Sequence, residues 1–205
     1  NYYFAKCHTR NGYADNEFWK VFFFYPNCSD IKIVPNSLEH AYLCLLNNDL
    51  SSAKAIFSKI DNPRGIWGTI LVSIFEGYME IFPTYFQIRN FLEIDLDFLL
   101  KNEKLDYIEQ LLGALDIFAD INQETYKFAA RVMFENNLLS AAFNYMQKSK
   151  DIYYNDAELH FMLMRYYLKI HDFEQAYFHA NECLNLIPNY YSALIMKEKI
   201  EENYL

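Results

Sequence analysis

The sequence predicts a mainly α chain, an α–α superhelix in which antiparallel helix pairs stack one on the next, led by a short β-like or extended N-terminal segment. Three observations carry this expectation. Breakers are scarce, with 5 Gly and 5 Pro in 205 residues of which 53% are hydrophobic, and a turn-poor, apolar chain packs as helices more readily than as many short strands. Apolar residues recur at helical spacing from Leu38 onward. A polar turn of similar make-up recurs between the resulting segments, as Asn48-Asp49-Leu50, Asn102-Glu103-Lys104-Leu105, Asn136-Asn137-Leu138 and His171-Asp172-Phe173.

Residues 1–37 stand apart. Tyr2-Tyr3-Phe4, Phe18-Trp19-Lys20-Val21-Phe22-Phe23-Phe24-Tyr25 and Ile31-Lys32-Ile33-Val34 are short aromatic or β-branched runs, which read as strands or extended segments. Asn11-Gly12 and Pro26-Asn27-Cys28-Ser29-Asp30 supply turn chemistry between them. The segment reads as a cap on the helices or as the tail of an upstream domain. Pro35-Asn36-Ser37 closes it, with Ser37 placed to cap the first helix. Residues 38–205 then form the helical domain, with segments expected at 38–47, 50–60, 65–79, 84–101, 104–119, 123–136, 138–150, 155–170, 173–186 and 190–203. Asp49 caps the second of these, and Asp172 with Gln175 resembles a capping box.

An internal repeat runs through the helical domain. In 157–190, His160, Leu163, Met164 and Tyr167 fall at the apolar slots of a first helix, Ala176 at a small-residue slot of the second, and Pro188 at the close. The preceding copy places Thr125, Phe128, Ala129 and Val132 before Ala141 and Tyr145, with Tyr153 at the proline slot. Leu92, Leu96 and Leu99 with Ile108 and Leu112 form a third copy, in which Asp95 stands where an apolar residue belongs. Ala41 and Cys44 with Ala53 and Phe57 form the first. On these residues the chain resembles the tetratricopeptide repeat family. The resemblance implies antiparallel helix pairs, a concave face that receives a peptide or a partner's helix, and a terminal helix with a polar outer face, here Ser192 to Tyr204. Measured at the small position, Ala53, Ile108, Ala141 and Ala176 lie 55, 33 and 35 residues apart. The long first gap makes 65–79 an extra helix that interrupts the array around Trp67.

A formal charge of −9 and a pI near 5.0 argue against a nucleic-acid partner, since phosphate binding needs clustered Lys and Arg. No uncharged stretch, the apolar run from Gly65 to Phe75 included, reaches the ~18 apolar residues that a membrane span requires. A cytoplasmic protein is expected. Asn27-Cys28-Ser29 and a pairing of Cys7 with Cys28 would fit the alternative of a secreted or exported chain.

Catalytic and metal-binding motifs are missing from the sequence. The five His and four Cys show no C-x-x-C or H-E-x-x-H spacing, and no nucleotide-binding or hydrolase glycine motif occurs. Cys7-His8 has no acid placed to orient it. His179 and Glu182, one turn apart, read as an ordinary polar pair on a solvated helix, and Glu93, Asp95 and Asp97 as a solvated or partner-facing acidic stretch. The chain is therefore not expected to be an enzyme or to carry a metal or cofactor.

The leading expectation is a scaffold that binds a protein or peptide through its concave face. Helical spacing assigns that groove Glu93, Asp97 and Leu100 from one copy, Tyr126, Ala130 and Met133 from the next, and Phe161, Arg165 and Leu168 from the best one. Acidic at one end and aromatic with a cation at the other, it would take a segment bearing basic and apolar residues. The alternative is a peptide-sensing or accessory helical domain of a larger regulator or enzyme whose upstream part is missing, since the chain begins at Asn1 without methionine.

Overall fold

A computed structural model describes residues 34–204, with side chains through 202. The expected strands, Cys7, Cys28 and Asn27 lie outside the described residues. Within them the chain is mainly helical and forms no strand. The helices are α1 (Leu38–Leu46), α2 (Leu50–Phe57), α3 (Pro63–Phe75), α4 (Tyr85–Lys101), α5 (Leu105–Gly113), α6 (Leu115–Ile121), α7 (Thr125–Glu135), α8 (Leu139–Ile152), α9 (Ala157–Lys169), α10 (Phe173–Leu186) and α11 (Tyr191–Tyr204). Ser37, Asp49 and Asp172 accept backbone N–H bonds at the starts of α1, α2 and α10. The reciprocal capping box is at Thr84 and Gln87, which open α4. Helix α3 begins two residues before the expected Gly65, because Asn62 accepts from the Arg64 and Gly65 amides and Pro63 sits in the first turn. The expected segment 104–119 is two helices, parted at Ala114.

Four helix ends share one geometry. Asn48, Glu103, Asn137 and His171 adopt φ between 54° and 63°. Each of these residues donates its amide to the carbonyl three back, as in Asn137 to Phe134. The next residue donates to the carbonyl five back, as in Leu138 to Met133 at 2.9 Å and Asp172 to Tyr167 at 2.9 Å. This double bond pattern satisfies the last carbonyls of a helix and reverses the chain at once. The last three of these residues recur at intervals of 34. Five residues past each lies a buried position on the following helix, held by Ala53, Ile108, Ala142 and Ala176.

That register corrects one expectation. Ala141 is only half-buried and Ala142 is the residue pressed between helices, so the small positions after Ala53 fall at 108, 142 and 176. The same register aligns Tyr126, Ala129, Ala130 and Met133 with the first-helix slots of the last copy, while the expected Thr125, Phe128 and Val132 are buried as well.

Contacts divide the chain between Asn122 and Gln123 into two compact units. In the second, α7 pairs with α8 and α9 with α10, α7 also touches α9, and α11 covers α10. Met164, Ala176, Ala180 and Ile200 form one core cluster of this unit, and Ala157, Cys183 and Ala193 form another.

In the first unit α1 pairs with α2, α4 with α5, and α3 packs against α2, α4 and α5. The close approach of α3 to α2 requires glycine, because a Cβ on Gly68 would overlap the Phe57 ring and one on Gly65 the Ile60 carbonyl. Asp95 is buried, not part of a solvated acidic stretch. Its carboxylate accepts from Arg64 at 2.7 Å and from Trp67 Nε1 at 2.5 Å, both on α3. The Arg64 guanidinium lies 5.1 Å from the Tyr42 ring and 4.7 Å from the Phe91 ring. Burial pushes the Asp95 carboxyl above its ordinary value, against the opposing pulls of Arg64, Trp67 and Tyr42.

Two outcomes follow from this packing. Ala142→Leu should destabilise the chain by ~1–3 kcal/mol through overpacking, whereas Ala141→Leu should cost less than ~1 kcal/mol. Urea unfolding followed by circular dichroism reads the difference, and equal losses would overturn the corrected register. Asp95→Leu should cost ~3–5 kcal/mol by stranding the Arg64 charge, with much of that recovered when Arg64→Met is added. A double variant no better than the single one would show that the pair is not the source of the loss.

Candidate partner-binding face

In the second unit, α7 and α9 are joined by charged residues spaced along the two helices. Asp156 begins α9 by accepting from the Glu158 and Leu159 amides at 2.9 and 3.2 Å. Its other oxygen meets Lys127 of α7 at 2.6 Å. The Lys127 ammonium is buried and also touches Glu124 at 3.0 Å and Glu158 at 3.1 Å. Burial opposes its charge, but bonds to Asp156 and Glu124 outweigh that and raise its pKa. In return, Lys127 holds the Asp156 carboxyl below its ordinary range despite burial.

Beyond this anchored pair the contacts open to solvent. Arg131 meets Glu158 at 2.5 Å and Arg165 meets Glu135 at 3.0 Å, with all four side chains partly exposed. The guanidinium of Arg165 and the ammonium of Lys169 lie 4.8 and 5.1 Å from the Phe134 ring. Phe161, half-buried on α9, packs against Tyr190 with ring centroids 5.0 Å apart.

The residues assigned to a groove from sequence divide accordingly. Phe161, Arg165 and Leu168 are half-buried on α9. Glu93, Asp97 and Leu100 are likewise half-buried, but they belong to the first unit, where Asp97 is paired with Lys101 at 2.5 Å. Tyr126, Ala130 and Met133 are 9%, 0% and 2% exposed and present no surface. Helix α7 is buried on nearly every side, with only Arg131 and Glu135 reaching solvent, so it has no open face on which these three could stand. In the 34-residue register, the counterparts of Phe161, Arg165 and Leu168 are Lys127, Arg131 and Phe134, the residues that bond to α9. A recurring Asn at the turn, aligned at 136–137, was the signal that would have placed them.

One further feature lay outside the sequence reading, and a second overturns part of it. Tyr78, Ile81, Phe82, Tyr85 and Phe86, around the connection from α3 to α4, form an exposed apolar run, with Phe82 at 59% and Phe86 at 67%. His179 is buried, not solvated, and its Nδ1 lies 2.9 Å from Nδ1 of the buried His160. Glu182 instead accepts from the Tyr154 hydroxyl at 3.2 Å. Burial, reinforced by His160 and Lys150, holds His179 down to about 4, and burial likewise lowers His160.

Among the described residues no group of three or more His, Cys, Asp or Glu side chains gathers as a metal site would require, and no helix is long and apolar enough to cross a membrane. Neither a family model nor a curated protein matches the chain.

Proposed function

We propose that this chain is a tetratricopeptide-like scaffold that binds a protein or peptide, and that the face of α7 and α9 is a contact surface. The reading is supported by the 34-residue recurrence of the left-handed turn with a buried residue five positions on. In such an array the second helix of each pair braces the first, which leaves first-helix faces for recognition. The contact of α7 with α9 agrees with that layout.

The chemistry of the face suits exchange of partners. Partly exposed ion pairs such as Arg131–Glu158 and Arg165–Glu135 are each worth ~0–1 kcal/mol, so a ligand carrying charges of both signs can replace them at little cost. Phe161 and Tyr190 offer an apolar seat beside them, and aromatic and arginine side chains dominate binding energy where they are desolvated. The ligand expected is an amphipathic segment with an apolar side chain at Phe161, a basic residue near Glu135 or Glu158 and an acidic one near Arg165.

Selection of binders from a random peptide-display library, followed by titration of the recovered peptide, tests the reading. Phe161→Ala with Arg165→Glu should weaken binding by tenfold or more with the circular dichroism spectrum unchanged, and Phe82→Ala with Phe86→Ala should leave it within about twofold. Binding lost only with the second pair would move the site to the α3–α4 connection. A library that yields no binder would count against the scaffold itself.

A further inference from the structure

We propose that the buried His160–His179 contact is an acid-responsive latch, which holds α9 against α10 while both imidazoles are neutral and releases them when either takes up a proton. The geometry carries the idea. Two ring nitrogens 2.9 Å apart share one proton, so one Nδ1 donates and the other accepts, and the two rings must be opposite tautomers. Protonating the accepting nitrogen sets two N–H groups against each other. Protonating the Nε2 left free on the donor ring keeps that bond but places a cation inside the helix pair, where His160 Nε2 is buried without a hydrogen bond of good geometry.

The surroundings do little to offset a cation. From α8, Lys150 opposes a positive ring. From the α8–α9 connection come the Tyr154 ring, set edge-on to His160 at 4.8 Å, the Tyr154 backbone, which favours a charged His160 without outweighing its burial, and Asp156, which also favours the charged form but is committed to Lys127. From α9, Tyr167 stacks on His179 at 5.4 Å. From α10, Phe178 meets His179 edge-on, Glu182 favours a charged His160 but bonds to Tyr154, and burial keeps the Cys183 thiol protonated. Lys197 and Glu201 of α11 engage Tyr177, and the Lys127 and Arg131 cations of α7 face Glu158.

The repeat supplies a comparison within the chain. At intervals of 34 the same two positions hold Leu92 and Leu111, both buried, then Tyr126 and Tyr145, stacked at 6.2 Å, then His160 and His179. The fold asks only for bulk at this layer, and this copy alone of the three fills it with imidazoles, whose ordinary range lies near neutrality.

The sign is fixed by linkage. His179 is at about 4 when folded against an ordinary 6.5, so the unfolded chain binds more protons between those values. Stability is complete above pH 6.5 and is lost as pH falls toward 4.

Hydrogen exchange of the full chain at pH 7 and pH 5, corrected for intrinsic rates, tests the latch. Opening of α9 and α10 should rise roughly 20-fold at pH 5, while α3 and α4 change by less than about threefold. In the double variant His160→Leu with His179→Leu, which copies the Leu92 and Leu111 layer, the rise should disappear. An unchanged wild type, or a variant that keeps the full rise, overturns the proposal. Should the variant not fold, imidazole nitrogen NMR of the wild type decides. Opposite neutral tautomers that titrate below pH 6 are expected, and titration of either ring at 6.5 or above in an intact fold refutes the latch.

Discussion

The close approach of two helices immediately after a left-handed turn is the constraint on which the rest depends. At Asn137 and His171 the chain gives up ordinary φ, a conformation that costs an L-residue roughly 1–2 kcal/mol, and gains two backbone bonds that end one helix cleanly. The reversal lays the next helix back along its partner, and the residue five positions past the turn is buried there. Ala142 and Ala176 fit there, both fully buried. Everything placed afterward, including the α7–α9 ion pairs and the His160–His179 contact, takes its position from this spacing.

The first unit departs from the 34-residue spacing of the left-handed turns, with 55 residues from Asn48 to Glu103. An added helix exposes neighbouring helices to a surface that the repeat pattern does not provide for. Here α3 inserts Gly65 and Gly68 against α2, and Arg64 and Trp67 against Asp95 of α4. Each is an anomaly by itself: an arginine in a buried turn, and an aspartate at an apolar slot. Together they satisfy one another, and the flanking Tyr42 and Phe91 rings shield the charge. A buried pair of this kind adds little net stability compared with apolar residues. It does make any other seating of α3 costly, because displacement would strand both charges.

Much of this architecture was legible in the sequence. Turn residues and helical periodicity placed nearly every helix to within a few residues, since caps at Ser37, Asp49 and Asp172 and left-handed Asn residues leave local marks. The register of 125–145 was not, because Ala141-Ala142 offers two small residues in succession and Ala129-Ala130 offers two more. Periodicity could not decide between them, and the near-complete burial of α7, which puts Tyr126, Ala130 and Met133 in the core, is set by neighbouring helices rather than by local pattern. The burial of Asp95 was hidden for a different reason. Its partners lie 28 and 31 residues earlier, on a helix outside the repeat, so no local pattern could announce them.

These cases share a rule about where polar groups enter such a core. The backbone fixes the distance between facing positions, and side-chain volume has to fill it, but polarity is left open. A polar residue is then tolerated when the facing position supplies its complement, as Arg64 and Trp67 do for Asp95, and as each imidazole does for the other between α9 and α10. The tyrosine layer between α7 and α8 takes an intermediate course, with Lys148 poised 4.9 Å from the Tyr126 ring. Because complement and residue lie on different helices, polar content of this type ties the helices together in a way that leucine does not, and it makes the bond between them dependent on protonation wherever the residue is histidine.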